Sequence, residues 1–142
     1  MQIRKSFTFE AAHVLPHHPG KCARLHGHSY RLDVALEGPL QASGPAAGMV
    51  EDFEVVSRVV KAAVINELDH RSLNELMDNP TAENMVVWIW GRLAEELPQL
   101  AELTLWETRK ACVVMKKGDP LSHPGKELDR TPTQPLRGPQ EI

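Results

Sequence analysis

The stretch from Cys22 to Tyr30, CARLHGHSY, carries side chains suited to chemistry: one of the two cysteines and two of the seven histidines. Residues two apart do not face each other on a helix, whereas on a strand they point to the same side. Tyr30 and the alternate apolar residues after it continue that period, so the stretch is predicted to be a β-strand. His26 and His28 then begin its apolar face, where they could aim two nitrogen ligands at one metal ion.

A third imidazole is predicted upstream, because apolar residues alternate from Phe7 to His13 and make His13 the end of a strand face. An antiparallel pairing would bring His13, His26 and His28 together at one end of a sheet. Three histidines leave a tetrahedral zinc ion one open position, which is typical of catalytic sites. Cys22, in the loop between the strands, could instead complete a closed structural site. The residues alone leave both arrangements open.

The remaining elements follow from capping residues and periodicity. Asp52 is the predicted N-cap of a helix that ends near Leu68, and Thr81 is the predicted N-cap of a second helix. Two short β patterns follow Pro98, and in the first of them Glu107 shares a face with apolar residues. The order strand, strand, helix, helix, strand, strand (ββααββ) predicts an α+β fold. In this fold the helices cover one face of a four-stranded antiparallel sheet.

The composition indicates one domain, with 42% hydrophobic and 25% charged residues in 142. The net charge of −3 gives no support to non-specific nucleic-acid binding, and no apolar run approaches the roughly 20 residues of a membrane span. The first residues lead into a strand rather than a signal peptide, and two cysteines make no disulfide framework. We therefore expect a reduced, cytoplasmic enzyme. Five prolines among polar residues predict a flexible tail over 118–142, which leaves 1–117 as the domain.

Five segments, taken in order, resemble one family: FEAAHVL, CARLHGHSY, LDHRSLNE, NPTAEN and WET. Together they are similar to the 6-pyruvoyl-tetrahydropterin synthase and 6-carboxytetrahydropterin synthase family, from about Ile3 to Lys117. The three residues between Cys22 and His26 resemble the 6-carboxytetrahydropterin synthases of queuosine biosynthesis, because the pyruvoyl branch usually has a longer spacing. The resemblance implies the tunnelling fold, in which subunits join edge to edge into a barrel. It also implies a homohexamer of two stacked trimers.

The resemblance further implies roles for the reactive side chains. Zinc would be held by the three histidines alone, and Cys22 would act as the catalytic base. His70 would be the general acid/base and Asp69 its orienting partner, a pair often brought from a neighbouring subunit. From the residues alone, Asp69 could simply end a helix, with His70 near a C-terminus whose dipole favours a cation. An extended chain would point the two side chains to different sides, so they need not bond each other.

Substrate contacts are implied in the same way. Glu107 in WET resembles the family's pterin-anchoring glutamate, and Thr81 and Glu83 in NPTAEN could line the same pocket. A carboxylate on an apolar face is costly unless it is paired, so an ion pair of Glu107 with Arg109 or Lys110 is the alternative. The candidates for triphosphate contact lie in one loop, which is equally well explained as a solvated loop: Lys21, Arg24, His17 and His18.

The function that the resemblance implies is a zinc-dependent lyase acting on 7,8-dihydroneopterin triphosphate. Its implied products are 6-carboxy-5,6,7,8-tetrahydropterin, acetaldehyde and triphosphate. One alternative is a pyruvoyl-type synthase, which eliminates triphosphate but keeps all the side-chain carbons. A second alternative is a protein that binds zinc and a pterin without turnover.

Overall fold

The computed structural model describes residues 1–120 of the chain. Nearly all of the predicted tail over 118–142 therefore lies outside the described residues. The described part contains a five-stranded mixed sheet with the strand order β3-β1-β2-β4-β5. Its strands are β1 (Gln2–His13), β2 (His26–Glu37), β3 (Arg71–Ser72), β4 (Leu100–Trp106) and β5 (Cys112–Lys116).

The prediction of four antiparallel strands is wrong in one respect, because β3 adds a fifth strand that runs parallel to β1. The other pairings are antiparallel, as predicted: β1 with β2, β2 with β4, and β4 with β5. β3 pairs only Arg71 with Ala11 and Ser72 with Ala12. A strand of two residues is too short to show periodicity, so no sequence pattern predicts it. The described element order is therefore ββαβαββ.

Two helical regions form as their capping residues predict. Helix α1 (Phe53–Val60) begins at Asp52, whose side chain accepts a hydrogen bond from the Glu54 N–H. It continues through a π-helical turn (Lys61–Ile65) into a last α-helical turn (Asn66–Leu68). Helix α2 (Ala82–Leu93) begins at Thr81, whose hydroxyl accepts from the Asn84 N–H. Within residues 1–120, no helix has both the length and the apolar character needed to cross a membrane.

The core lies between the helices and one face of the sheet. The predicted alternation on β2 is confirmed: Tyr30, Leu32, Val34 and Leu36 are buried, with exposed or half-buried residues between most of them. Burying such a side chain contributes roughly 1.5–3 kcal/mol, so this face sets the register of the sheet. The helix residues packed against it are buried too: Val56, Val60, Val64, Met85, Ile89 and Leu93. The other, polar face of the sheet carries the alternate residues of β1 and β2, most of which are polar and are exposed or half-buried.

Candidate active site

Three histidines meet where β1 ends and β2 begins. His13 pairs directly with His26 in the strand register, and His28 lies opposite Ala11, two positions along the same face. Their ligand atoms all lie within 4.8 Å of one another. Gly27 lets the strands approach closely here, since a Cβ on it would lie 3.2 Å from the Ala11 carbonyl oxygen. The predicted convergence of the three imidazoles is therefore present in the structure.

Backbone carbonyls fix the tautomers of two of these rings. His13 Nδ1 lies 2.9 Å from the Pro80 carbonyl oxygen, and His26 Nδ1 lies 2.7 Å from the Arg24 carbonyl oxygen. A carbonyl only accepts, so each Nδ1 carries the proton and each Nε2 presents a lone pair. The two Nε2 atoms are 3.0 Å apart. Lone pairs at that distance repel unless a cation lies between them, as it would in a metal site.

His28 supplies the third ligand atom. Its Nε2 is buried and has no hydrogen-bond partner among the described residues. Burial lowers the pKa of His28 below its usual value, and His13 and His26 lower it further, whereas Glu107 opposes them. The ring is therefore neutral at pH 7, which is the form that ligates a metal. An orphaned nitrogen beside two oriented lone pairs fits a metal ion held by three histidines.

Tyr30 lies on the core side of the three histidines. Its side chain is 1% exposed, it stacks on Phe9 with ring centroids 4.9 Å apart, and its hydroxyl lies 3.5 Å from His13 Nδ1. Burial raises the pKa of Tyr30 well above its usual value, so the phenol stays neutral. The Tyr30 ring also contacts the rings of His13 and His28, so the histidine cluster rests on buried aromatic side chains.

Cys22 does not join the metal cluster. Among the described residues, the cluster with metal-ligand spacing contains the three histidines only. Cys22 is a free, half-buried cysteine on a 3-10 turn (Lys21–Ala23), and its carbonyl accepts from the Leu15 N–H at 3.0 Å. The structure therefore favours three histidine ligands over a closed site with a fourth, cysteine ligand. The turn keeps Cys22 in the loop that joins the two histidine-bearing strands.

Asp69 and His70 form a direct pair, which the sequence did not require. His70 Nδ1 lies 3.0 Å from Asp69 Oδ1, and that oxygen also accepts from the Glu10 N–H at 2.9 Å. The hydrogen bond from Glu10 is the main reason that the pKa of Asp69 is lowered, and the bond from His70 adds to it. His70 has a φ of 58°, which is uncommon outside glycine. Its N–H donates to the Glu10 carbonyl and holds this turn against β1.

The Asp69–His70 pair lies at the edge of the sheet, where both residues bond to the backbone of Glu10 on β1. His70 is 78% exposed and lines an open cleft of about 500 Å³ together with Glu10, Ser29 and His28. Since His28 is one of the three ligands, this cleft reaches the edge of the metal cluster within one copy of the chain.

Glu107 lies beside the metal cluster, one residue beyond the end of β4. Its carboxylate oxygen is 3.6 Å from His28 Nε2, which is too far for a hydrogen bond. The alternative of an ion pair with Arg109 or Lys110 is not what the described residues form. A second cleft, of about 240 Å³, is lined by Glu107, Thr81, Glu83 and small apolar residues. The structure thus brings together the three residues assigned to one pocket.

The loop candidates for anion contact are exposed. Lys21 and Arg24 lie on or next to the 3-10 turn, and His18 Nδ1 accepts from the Gly20 N–H at 2.9 Å. His17 is exposed as well. The structure places these side chains in solvent near the histidine cluster and gives them no shared ligand position.

Sequence reasoning missed two groups that hold the site in place. The Pro80 carbonyl orients His13, but a backbone group leaves no side-chain signal. The Asn74 side chain forms two hydrogen bonds with Val14, the residue after His13. It accepts from the Val14 N–H at 2.8 Å and donates to the Val14 carbonyl at 2.9 Å. Asn74 stands in LDHRSLNE, so that motif contained the signal for its role.

Two relatives of the chain are named as enzymes that act on pterins. The chain is 44% identical over 110 residues to the 6-carboxy-5,6,7,8-tetrahydropterin synthase of Synechocystis sp., covering 75% of this chain and 85% of the relative. It is 42% identical over 103 residues to the dihydroneopterin monophosphate aldolase of Pyrococcus furiosus, covering 70% of this chain and 83% of the relative.

Solved structures and the family pattern agree with these relatives. The 6-pyruvoyl tetrahydropterin synthase of Caenorhabditis elegans superposes with a TM-score of 0.73 at 26% identity, covering 82% of this chain and 94% of that one. The sequence pattern described as 6-pyruvoyl tetrahydropterin synthase matches residues 2–118. With that match over most of its length, the chain belongs to the 6-pyruvoyl tetrahydropterin synthase family.

Proposed function

We propose that the chain is a zinc-dependent lyase that converts 7,8-dihydroneopterin triphosphate and water into 6-carboxy-5,6,7,8-tetrahydropterin, acetaldehyde and triphosphate, in queuosine biosynthesis. The observation that carries the proposal is the cluster of His13, His26 and His28 beside Glu107. Identities of 44% and 32% to 6-carboxy-5,6,7,8-tetrahydropterin synthases of Synechocystis sp. and Haemophilus influenzae support it. The three residues between Cys22 and His26 favour the carboxy branch over the pyruvoyl branch.

The three histidines would hold zinc through Nε2, and the ion would supply a Lewis acid that makes nearby C–H and O–H groups easier to deprotonate. Cys22, on the turn between β1 and β2, would take a proton from the substrate side chain. His70 would return or remove a proton as triphosphate leaves and the side chain fragments, while Asp69 holds its Nδ1.

The arrangement of His70 supports an oligomeric active site. The His70 side chain lies at the edge of β1 and is 78% exposed, so it is accessible to the metal cluster of another subunit. The two edges of the described sheet support such an assembly. One edge is β5, and the other is the part of β1 that the short β3 does not pair with, so both present unpaired backbone groups. We therefore propose a homohexamer of two trimers, joined through these edges, with each site shared between subunits.

Glu107→Gln is expected to weaken pterin binding strongly while metal content and fold are retained. A pterin's pyrimidine edge presents an amino group and a ring N–H side by side, and an ionised carboxylate offers two acceptors to match them. Glutamine sets a donor against one of these donors, which costs on the order of 1–3 kcal/mol. Calorimetry with a pterin measures the loss. Glu102→Gln is the matched control, since Glu102 lies on β4 and pairs with Arg4 at 3.0 Å. Equal affinities for the wild type and Glu107→Gln would exclude Glu107 from pterin recognition.

A second candidate function rests on the Pyrococcus furiosus relative, which is named for an aldolase acting on dihydroneopterin monophosphate. The experiment that separates the two supplies the triphosphate and the monophosphate to the metal-loaded protein in parallel and identifies the pterin product of each. We expect turnover of the triphosphate to a 6-carboxy pterin. Preference for the monophosphate would support the aldolase instead. A product that keeps the whole side chain would support the pyruvoyl-type synthase, and binding without turnover a non-catalytic protein.

A further inference from the structure

The position of Glu107 depends on how β4 ends. β4 stops at Trp106, and the Glu107 N–H donates to the Ala111 carbonyl at 3.1 Å to begin the turn into β5. Neighbouring residues of a strand point to opposite faces, so Trp106 lies on the polar face and Glu107 projects towards His28. The position of Trp106 therefore determines where the backbone of Glu107 lies.

A hydrogen-bonded cluster on the polar face holds Trp106 in place. Its centre is Asp33 on β2, whose Oδ2 accepts from the indole Nε1–H of Trp106 at 3.2 Å and from Arg31 Nη2 at 3.0 Å. The other oxygen, Oδ1, accepts from the hydroxyl of Ser6 on β1 at 2.6 Å. The Arg31 guanidinium also lies over the Trp106 ring, 5.1 Å from its centroid. The cluster thus ties three adjacent strands together beside the end of β4.

Asp33 remains a charged acceptor in this setting. Its side chain is 15% exposed. Burial alone would raise the pKa of Asp33, but hydrogen bonds from Ser6, Arg31 and Trp106 and the charge of Arg31 together bring it below its usual value. A carboxylate that accepts three donors from three strands restricts all of them at once. None of these side chains has a part in the proton transfers described above.

We propose that Asp33 is a positioning residue for Glu107: by anchoring the Trp106 indole on the polar face, it fixes the end of β4 and aims the Glu107 carboxylate across the sheet. The inference rests on the proposed role of Glu107 in pterin recognition. Asp33 acts through the Trp106 side chain and the backbone that joins Trp106 to Glu107. It contacts neither the pterin nor the metal.

The test is a double-mutant cycle between Asp33 and Glu107, read as the affinity for pterin itself by fluorescence titration. Asp33→Ala should weaken binding by roughly 3- to 30-fold, the range typical of residues that act through a neighbour. In a Glu107→Gln background the same change should have no further effect, since the group being aimed is already altered. Trp106→Phe, which removes the N–H but keeps a ring beneath Arg31, should reproduce the loss.

Two controls separate positioning from general stability. Asp33→Asn should restore most of the affinity, because its amide oxygen can still accept from Trp106 while the Ser6 hydroxyl accepts from its amide group. Arg4→Ala breaks the ion pair with Glu102 on the same face, four residues from the end of β4, and should leave the affinity within about twofold. An equal loss in both Glu107 backgrounds, or no loss in Asp33→Ala, would overturn the inference. Wild-type protein that binds no pterin would overturn the proposed function as well, whereas pterin binding without acetaldehyde release would contradict the lyase proposal alone.

Discussion

His26→Ala should leave the protein folded but nearly free of metal, whereas the wild type should hold one ion per chain. The His26 ring contributes one of two Nε2 atoms that lie 3.0 Å apart, and its loss removes a ligand that no other described residue is placed to replace. Structural and catalytic zinc sites require three or more protein ligands, so His13→Ala and His28→Ala should behave alike. Metal analysis of the purified variants measures this directly, with circular dichroism to confirm the fold.

The matched control for the metal prediction is His17→Ala, which removes an exposed imidazole from the neighbouring loop and should leave the metal content unchanged. Cys22→Ala is the decisive comparison, because Cys22 lies outside the three-histidine cluster. It should retain its metal. Loss of metal from Cys22→Ala as complete as from His26→Ala would show a closed site with four ligands and remove the open position that catalysis needs.

Cys22→Ala and His70→Ala should each lower turnover by roughly 100- to 10,000-fold, the usual worth of a positioned acid or base. The expected loss is in kcat, since neither side chain is assigned to holding the pterin ring. Steady-state kinetics on the metal-loaded variants measures it, with His17→Ala as the reference histidine variant. Turnover near the wild-type level in either variant would exclude that residue from the proton transfers.

Mixing the two inactive variants tests where His70 acts. His70 lies in an exposed turn at the edge of β1, and Cys22 lies in the loop between the two histidine-bearing strands. If each site takes His70 from a neighbouring subunit, reassembled mixtures of Cys22→Ala and His70→Ala chains should regain part of the wild-type activity. Mixtures as inactive as the separate variants would place both residues in one subunit's site.

The sequence predicted the features that depend on side-chain period and local capping. His13, His26 and His28 were placed correctly because a period of two fixes the face of each residue once the strands pair. Asp52 and Thr81 cap helices because their side chains can accept from the first free N–H groups, a local effect.

Features that depend on pairing across distant segments were not predicted. β3 exists because Asp69 and His70 bond to Glu10, which is 59 residues from Asp69 in the sequence. At this contact Asp69 also bonds to the side chain of His70, whose positive φ is not predicted by any sequence pattern. Glu107 lies beside His28 rather than the nearby Arg109, because the turn after Trp106 directs its side chain to the metal cluster.

Acetaldehyde release tests the central claim most directly, because the carboxy branch alone among the pterin synthases considered loses the two terminal side-chain carbons in this form. Metal-loaded protein is incubated with 7,8-dihydroneopterin triphosphate, and acetaldehyde is measured by coupled reduction with alcohol dehydrogenase alongside free triphosphate. Metal-free His26→Ala protein serves as the blank. The proposed function predicts acetaldehyde and triphosphate in equal amounts from the wild type and neither from the blank. Triphosphate release without acetaldehyde would contradict it.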